Sequence, residues 1–247
     1  MKIGIITCGH VDPSLASYHG QYFDMIAASL YEVNNQLEFV DYDATRGELP
    51  CLDQCVGFII TGSVHNAYDN DPWIVELVSW IRRCEAIRRP LVGICFGHQI
   101  IARALGGTVM KSEKGWGLGS YTANVSVQKK WMNLPMDSVR MLVSHQDQVV
   151  TVPKGMKVIA GNDFCPNFML AKDNHIFTVQ GHPEFSSEFT GKLVEKRREI
   201  IGSAHAEDAF RQLNKPQDSA LILHWIDSFL NMVEQPVRRS PSLHHVL

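Results

Sequence analysis

The sequence predicts an α/β protein, with a central, mostly parallel sheet and helices on both faces. Three observations predict it. Strand-like and helix-like stretches alternate through roughly the first hundred residues, the pattern of a covered parallel sheet. Residues 91–94 form an apolar run without alternation, as expected for a strand buried on both faces. The chain has 247 residues, 45% of them apolar, which suffices for one sizeable core.

Residues 2–7 (KIGIIT) read as the first strand. Residues 18–33 place Tyr22, Met25, Ile26 and Leu30 at helical spacing. Residues 37–42 (LEFVDY) and 56–61 read as the second and third strands. Asp71 and Pro72 open a helix with proline in its first turn. It runs to about residue 88, with Ile74, Leu77, Val78, Ile81 and Cys84 on one face. Residues 91–94 are the fourth strand, and a helix follows over about residues 97–105. Five further strands are expected at 120–127, 139–143, 157–160, 168–171 and 175–180. Their short connections imply a small antiparallel sheet. Residues 186–200 read as a charged amphipathic helix. Residues 218–233 read as another, with Leu221, Ile222, Trp225, Phe229 and Val233 as its stripe. Residues 235–247 (QPVRRSPSLHHVL) read as a tail.

Charge and cysteine usage exclude several classes. A formal net charge of -3 gives no basic footprint for nucleic acid or an anionic membrane. The apolar run in MKIGIITCGH is too short for a secretory segment, and no run approaches the roughly 18 residues of a membrane span. The cysteines at 8, 51, 55, 84, 95 and 165 contain no CxxC pair, so no disulfide framework is expected and a cytoplasmic location follows. Cys51 and Cys55 lack a neighbouring ligand set, so no metal is expected.

The chemistry concentrates at LVGICFGHQ, residues 91–99. Cys95 stands between Gly93 and Gly97 where a strand becomes a helix. A sharp turn there exposes a nucleophile and crowds its neighbours, which favours glycine on each side. The helix N-terminus favours thiolate, and the Phe96 N–H would face an oxyanion on an attacked carbonyl. A base is required elsewhere in the chain. QGHPEF, residues 180–185, supplies it after an apolar strand: Gly181 and Pro183 stiffen the turn around His182, and Glu184 could orient and stabilise the imidazolium.

Together, GICFGHQ and QGHPEF resemble the two signatures of class I glutamine amidotransferase domains, over roughly residues 1–200. SHQDQV, residues 144–149, is similar to the SHxDxV loop of the branch that includes the GMP synthases. The resemblance implies a flavodoxin-like class I amidotransferase fold over residues 1–202, followed by a C-terminal helical extension and tail over 203–247. It implies a Cys95–His182–Glu184 triad, with Ser144, His145, Gln146, Asp147, Gly62 and Gln99 around the substrate. Ser63 stands where the family's turn has a second glycine; its N–H and that of Phe96 would form the oxyanion hole. No cofactor is implied.

The expected function is hydrolysis of the γ-amide of glutamine through a γ-glutamyl thioester on Cys95, with ammonia passed to a separate synthetase chain. Residues 61–67 and 70–74 also resemble plant γ-glutamyl peptidases, so a stand-alone γ-glutamyl hydrolase is the alternative. A non-catalytic regulatory protein is a third reading, which a missing triad member would favour. His98 is expected to be structural, and Trp73, Trp80 and Trp225 to be core. Lys196, Arg197 and Arg198 are expected on a solvated face, and His244 and His245 in the tail.

Overall fold

A computed structural model describes residues 1–232. The first half alternates β1 (Lys2–Thr7), α1 (Pro13–His19), α2 (Tyr22–Val33), β2 (Glu38–Asp43), β3 (Gly57–Ile60), α3 (Pro72–Ala86), β4 (Leu91–Ile94) and α4 (Phe96–Ala104). Then come β5 (Thr108–Lys111), β6 (Gly117–Val125), β7 (Ser138–His145), β8 (Asp147–Thr151), β9 (Lys157–Gly161), β10 (Met169–Lys172) and β11 (Ile176–Val179). Four helices follow: α5 (Ser187–Lys196), α6 (Arg198–Ile201), α7 (Ser203–Leu213) and α8 (Ser219–Asn231).

Nine strands form one sheet in the order β2-β1-β3-β4-β11-β10-β9-β6-β7. The first five run parallel. The remaining four extend the sheet by antiparallel pairing. Strands β5 and β8 form a separate antiparallel pair. The central strands are apolar throughout because each feeds two cores. Ile3, Ile5, Ile59, Val92 and Ile94 face the core shared with α2 and α8. Ile6, Phe58, Ile60 and Leu91 face the one shared with α3 and α4. Trp225 lies fully buried in the first core and Trp80 in the second, while Trp73 is only partly buried at the edge of the second.

Two sequence expectations need correction, and three elements lack a clear sequence signal. Residues 18–33 are not one helix. Gly20, at φ 78°, ends the first helix, and the Asp24 carboxylate accepts the Gln21 N–H to start the second. The helix expected over 186–200 breaks at Arg197, whose φ and ψ of -101° and 1° leave the regular helix. Helix α7 falls in the helical extension expected over 203–247, but no stripe marks its bounds because its buried residues are Ala206, Ala209 and Leu213, too small to give a strong apolar period. Strands β5 and β8 escaped notice because each is short and pairs only across the fold. Residues 235–247, including His244 and His245, and Val233 of the last expected stripe lie outside the described residues.

Candidate active site

Strand β4 delivers Cys95 to the carboxyl edge of the sheet, where ligands bind in open α/β folds. The residue sits at φ 53° and ψ -101°, a conformation rarely adopted by a side chain with a Cβ. Two backbone bonds hold the turn: Cys95 N–H to the Val179 carbonyl at 2.9 Å, and Gly97 N–H to the Thr61 carbonyl at 3.1 Å. Glycine is needed at 97 because a Cβ there would lie 2.2 Å from the Ile60 carbonyl oxygen. Cys95 thus stands at the head of α4, almost buried but lining an open cavity.

Strand β11, parallel to β4, brings up the second motif. The His182 N–H is anchored on the Leu142 carbonyl at 2.8 Å. Phe185 stacks flat on the imidazole, with centroids 3.9 Å apart and planes 5° apart. Nδ1 of His182 pairs with Oε1 of Glu184 at 2.8 Å, which leaves Nε2 as the nitrogen free to exchange a proton with Cys95. Both side chains are buried. Burial pulls the His182 pKa down, but the Glu184 carboxylate and Cys95 outweigh it and raise the imidazole to about 10. The ring therefore carries a proton at neutral pH. The structure brings Cys95, His182 and Glu184 into one cluster. Gly62 forms its floor: a Cβ there would stand 3.0 Å from His182 Cε1 and 3.8 Å from Cys95 Cβ.

A cavity of about 190 Å³ opens over the sulfur, with Ser63, Phe96 and Gln99 among its walls. The Ser63 hydroxyl donates to the Cys8 carbonyl at 2.6 Å and accepts the His65 N–H at 3.0 Å. The serine is thus tied both to its own turn and to the segment after β1. Ser144, His145, Gln146 and Asp147 line the opposite wall. They are not a free loop: Ser144 and His145 end β7, Gln146 makes the bend and Asp147 opens β8. The Ser144 hydroxyl and His145 Nε2 are buried without a partner among the described residues. Burial lowers the His145 pKa to about 4, so its ring is neutral. Burial raises the Asp147 carboxyl above its usual range, and the Tyr68 hydroxyl donates to it at 3.4 Å. His98 lies outside this cavity, fully buried, with Nδ1 2.8 Å from the Thr178 hydroxyl; burial lowers its pKa to about 3.

Sequence reasoning missed four neighbours. Gln180 is fully buried, with its amide nitrogen 3.6 Å from the Cys95 sulfur. Gln99 donates to both the Gln180 side chain at 3.1 Å and the Asp147 carbonyl at 2.9 Å, so one hydrogen-bonded chain joins the β7–β8 bend to the sulfur. The signal for Gln180 was its place at the end of the strand that carries His182. Tyr22, Trp116 and Arg197 reach the cleft from distant elements, and no local motif marks them. Arg197 is the clear correction to the solvated basic face. Lys196 is exposed and Arg198 pairs with Glu195 and Glu207, but Arg197 turns its guanidinium into the cleft, 4.7 Å from the Trp116 ring centroid.

Among the described residues no group of three or more His, Cys, Asp or Glu side chains could hold a metal ion. None of the described helices is long and apolar enough to cross a membrane.

A sequence model of the glutamine amidotransferase class-I family matches residues 15–199. The chain is 31% identical to γ-glutamyl peptidase 2 of Arabidopsis thaliana over 188 residues, covering 74% of this chain and 75% of that protein. It is 30% identical to the glutamine-hydrolysing GMP synthase of Finegoldia magna over 184 residues, covering 74% of this chain and 34% of that one. The crystal structure of a glutamine amidotransferase from Thermotoga maritima superposes with a TM-score of 0.74 at 18% identity, over 94% of this chain and 99% of that one. The family match takes in β3, β4, β11 and the turns that follow them, the segments that build the cleft. The chain belongs to the class-I glutamine amidotransferase family.

Proposed function

We propose that this chain hydrolyses γ-glutamyl amide bonds through a thioester on Cys95, with glutamine as the simplest substrate. One observation carries the reading: His182 stands between Cys95 and Glu184, with Nδ1 committed to the carboxylate. The Cys95 sulfur attacks the γ-carbonyl carbon and a C–S bond forms. The carbonyl oxygen takes the negative charge, facing the N–H groups of Ser63 and Phe96. The charge returns, the C–N bond breaks, and His182 gives its proton to the departing nitrogen. Water then adds to the thioester while His182 removes its proton. The C–S bond breaks, glutamate leaves, and the proton returns to the Cys95–His182 pair. Glu184 holds the ring and stabilises its charge. The β7–β8 bend and Gln99 face the amino-acid end of the glutamyl group.

The test is covalent labelling with a chloroketone analogue of glutamine, followed by peptide mass spectrometry. Label on Cys95, prevented by glutamine, is the expected result. Cys84 and Cys165 are buried and raised to about 12, so they react slowly. Label spread over several cysteines, or none on Cys95, contradicts the proposal.

Within this chemistry the chain could feed ammonia to a separate acceptor chain, or release larger amines by itself. A specific observation favours the second reading. The cleft at His182 shares Tyr22, Leu193 and Arg197 as walls with a second, larger cavity. Comparing release of ammonia from glutamine with release of amine from γ-glutamyl peptides by the isolated chain separates the two.

A further inference from the structure

A proton donor fixes the side on which an amine departs. His182 gives its proton to the leaving nitrogen, so the leaving group lies on the imidazole side of the sulfur. On that side, a neck of about 20 Å³ is bounded by Cys95, His182, Tyr22, Leu193 and Arg197. Beyond it lies a cavity of about 260 Å³ between α1, α2 and α5. Ammonia needs little more room than a water molecule, whose share of liquid volume is about 30 Å³. The cavity is far larger than an ammonia product requires.

Its walls state what it fits. Val11, Leu15, Tyr22, Phe189 and Leu193 make it mainly apolar. Its cationic groups are Lys196, engaged by Asp12 at 2.5 Å, and Arg197. Arg197 donates one N–H to the Leu193 carbonyl at 3.2 Å and forms no ion pair with a carboxylate among the described residues. Its guanidinium is partly buried, placed over Trp116, and borders the catalytic cavity, the neck and the outer cavity alike. A planar cation with most of its five donors open matches a carboxylate in bidentate geometry.

We infer that the outer cavity is the leaving-amine subsite, and that Arg197 reads a carboxylate on that amine. The substrate class is a γ-glutamyl amino acid whose second residue has an apolar side chain. That side chain lies among Leu15, Tyr22 and Leu193, and its α-carboxylate pairs with Arg197. The inference rests on the thioester reading above and adds the identity of the leaving group.

The experiment compares kcat/KM of the full chain for γ-glutamyl-leucine, γ-glutamyl-leucinamide and glutamine. The two peptides differ only in the carboxylate. A charge-assisted contact predicts that wild type prefers the acid to the amide by about 10- to 100-fold. That ratio falls below about threefold in Arg197→Gln and stays intermediate in Arg197→Lys, which keeps the charge without the fork. Leu15→Trp, which fills the cavity, lowers the rate with γ-glutamyl-leucine relative to glutamine by about tenfold or more. The wild-type ratio and the Leu15 variant do not depend on the Arg197 variants folding. A wild-type ratio near one overturns the inference, as does cleavage of glutamine with neither peptide cleaved; both leave the thioester reading standing. Equal slowing of all three substrates in Arg197→Gln assigns the arginine to the glutamyl group's own carboxylate and also overturns it. No cleavage of any of the three overturns the thioester reading itself.

Discussion

Nδ1 of His182 lies 2.8 Å from Oε1 of Glu184, and both side chains are buried. Removing the charge while keeping an acceptor separates the two duties of the carboxylate. Glu184→Gln is expected to keep the ring oriented but to lose stabilisation of the imidazolium, lowering kcat/KM by roughly 100-fold. His182→Ala removes both proton transfers and is expected to lower it by about 10⁴-fold. Steady-state kinetics on the three proteins tests the order; a milder defect in His182→Ala than in Glu184→Gln contradicts it.

The raised pKa of His182 has consequences for pH dependence. The imidazolium is the form that protonates the departing amine, so the basic limb of kcat/KM is expected near pH 10. In Glu184→Gln one of the two groups that raise it is gone, and the limb should move to lower pH. A pH–rate profile of each protein measures this. A limb that stays in place rejects the assignment.

The same shift acts on folding. A group whose pKa rises from 6.5 unfolded to about 10 folded adds stability that is complete below pH 6.5 and lost as pH climbs toward 10. The stability advantage of wild type over Glu184→Gln should therefore shrink across that window. Urea unfolding of both proteins at several pH values reads it, and an advantage that grows with pH has the wrong sign.

Gln180 ties the sulfur to Gln99. Gln180→Leu keeps the bulk but removes the donor 3.6 Å from Cys95, while Gln99 retains the Asp147 carbonyl. A fall in kcat of roughly tenfold is expected, with a smaller change in stability, since a net hydrogen bond contributes about 1 kcal/mol. Unchanged kcat would show that the contact does not serve the reaction.

At the elbow, Gly97→Ala places a methyl group 2.2 Å from the Ile60 carbonyl oxygen, against backbone that cannot step aside cheaply. Destabilisation of about 3 kcal/mol is expected, seen as a lower urea midpoint together with lost activity. A variant as stable as wild type contradicts the crowding.

The local parts of this protein were legible in its residues. The parallel half of the sheet follows from apolar runs that face two cores, as Ile5 and Ile6 do from adjacent positions of β1. The elbow follows from crowding, which demands Gly97, and the turn around His182 from its own Gly, Pro and Glu neighbours. These features are marked by residues within a few positions of chain, although the contacts that crowd the elbow, such as Ile60 against Gly97, come from a neighbouring strand. The break at Arg197 follows no such rule. Its basic neighbours suggest a wet helix face, and only the packing of α5 against β6 and β7 turns its guanidinium toward Trp116 and Cys95. Tyr22 reaches the neck in the same way, carried there by a helix whose own pattern announces only a buried stripe. The nucleophile and its base were marked by short local motifs, Gly93 and Gly97 about Cys95 and Gly181, Pro183 and Glu184 about His182. The space beyond them, and the cation at its mouth, exist only where elements distant in sequence meet.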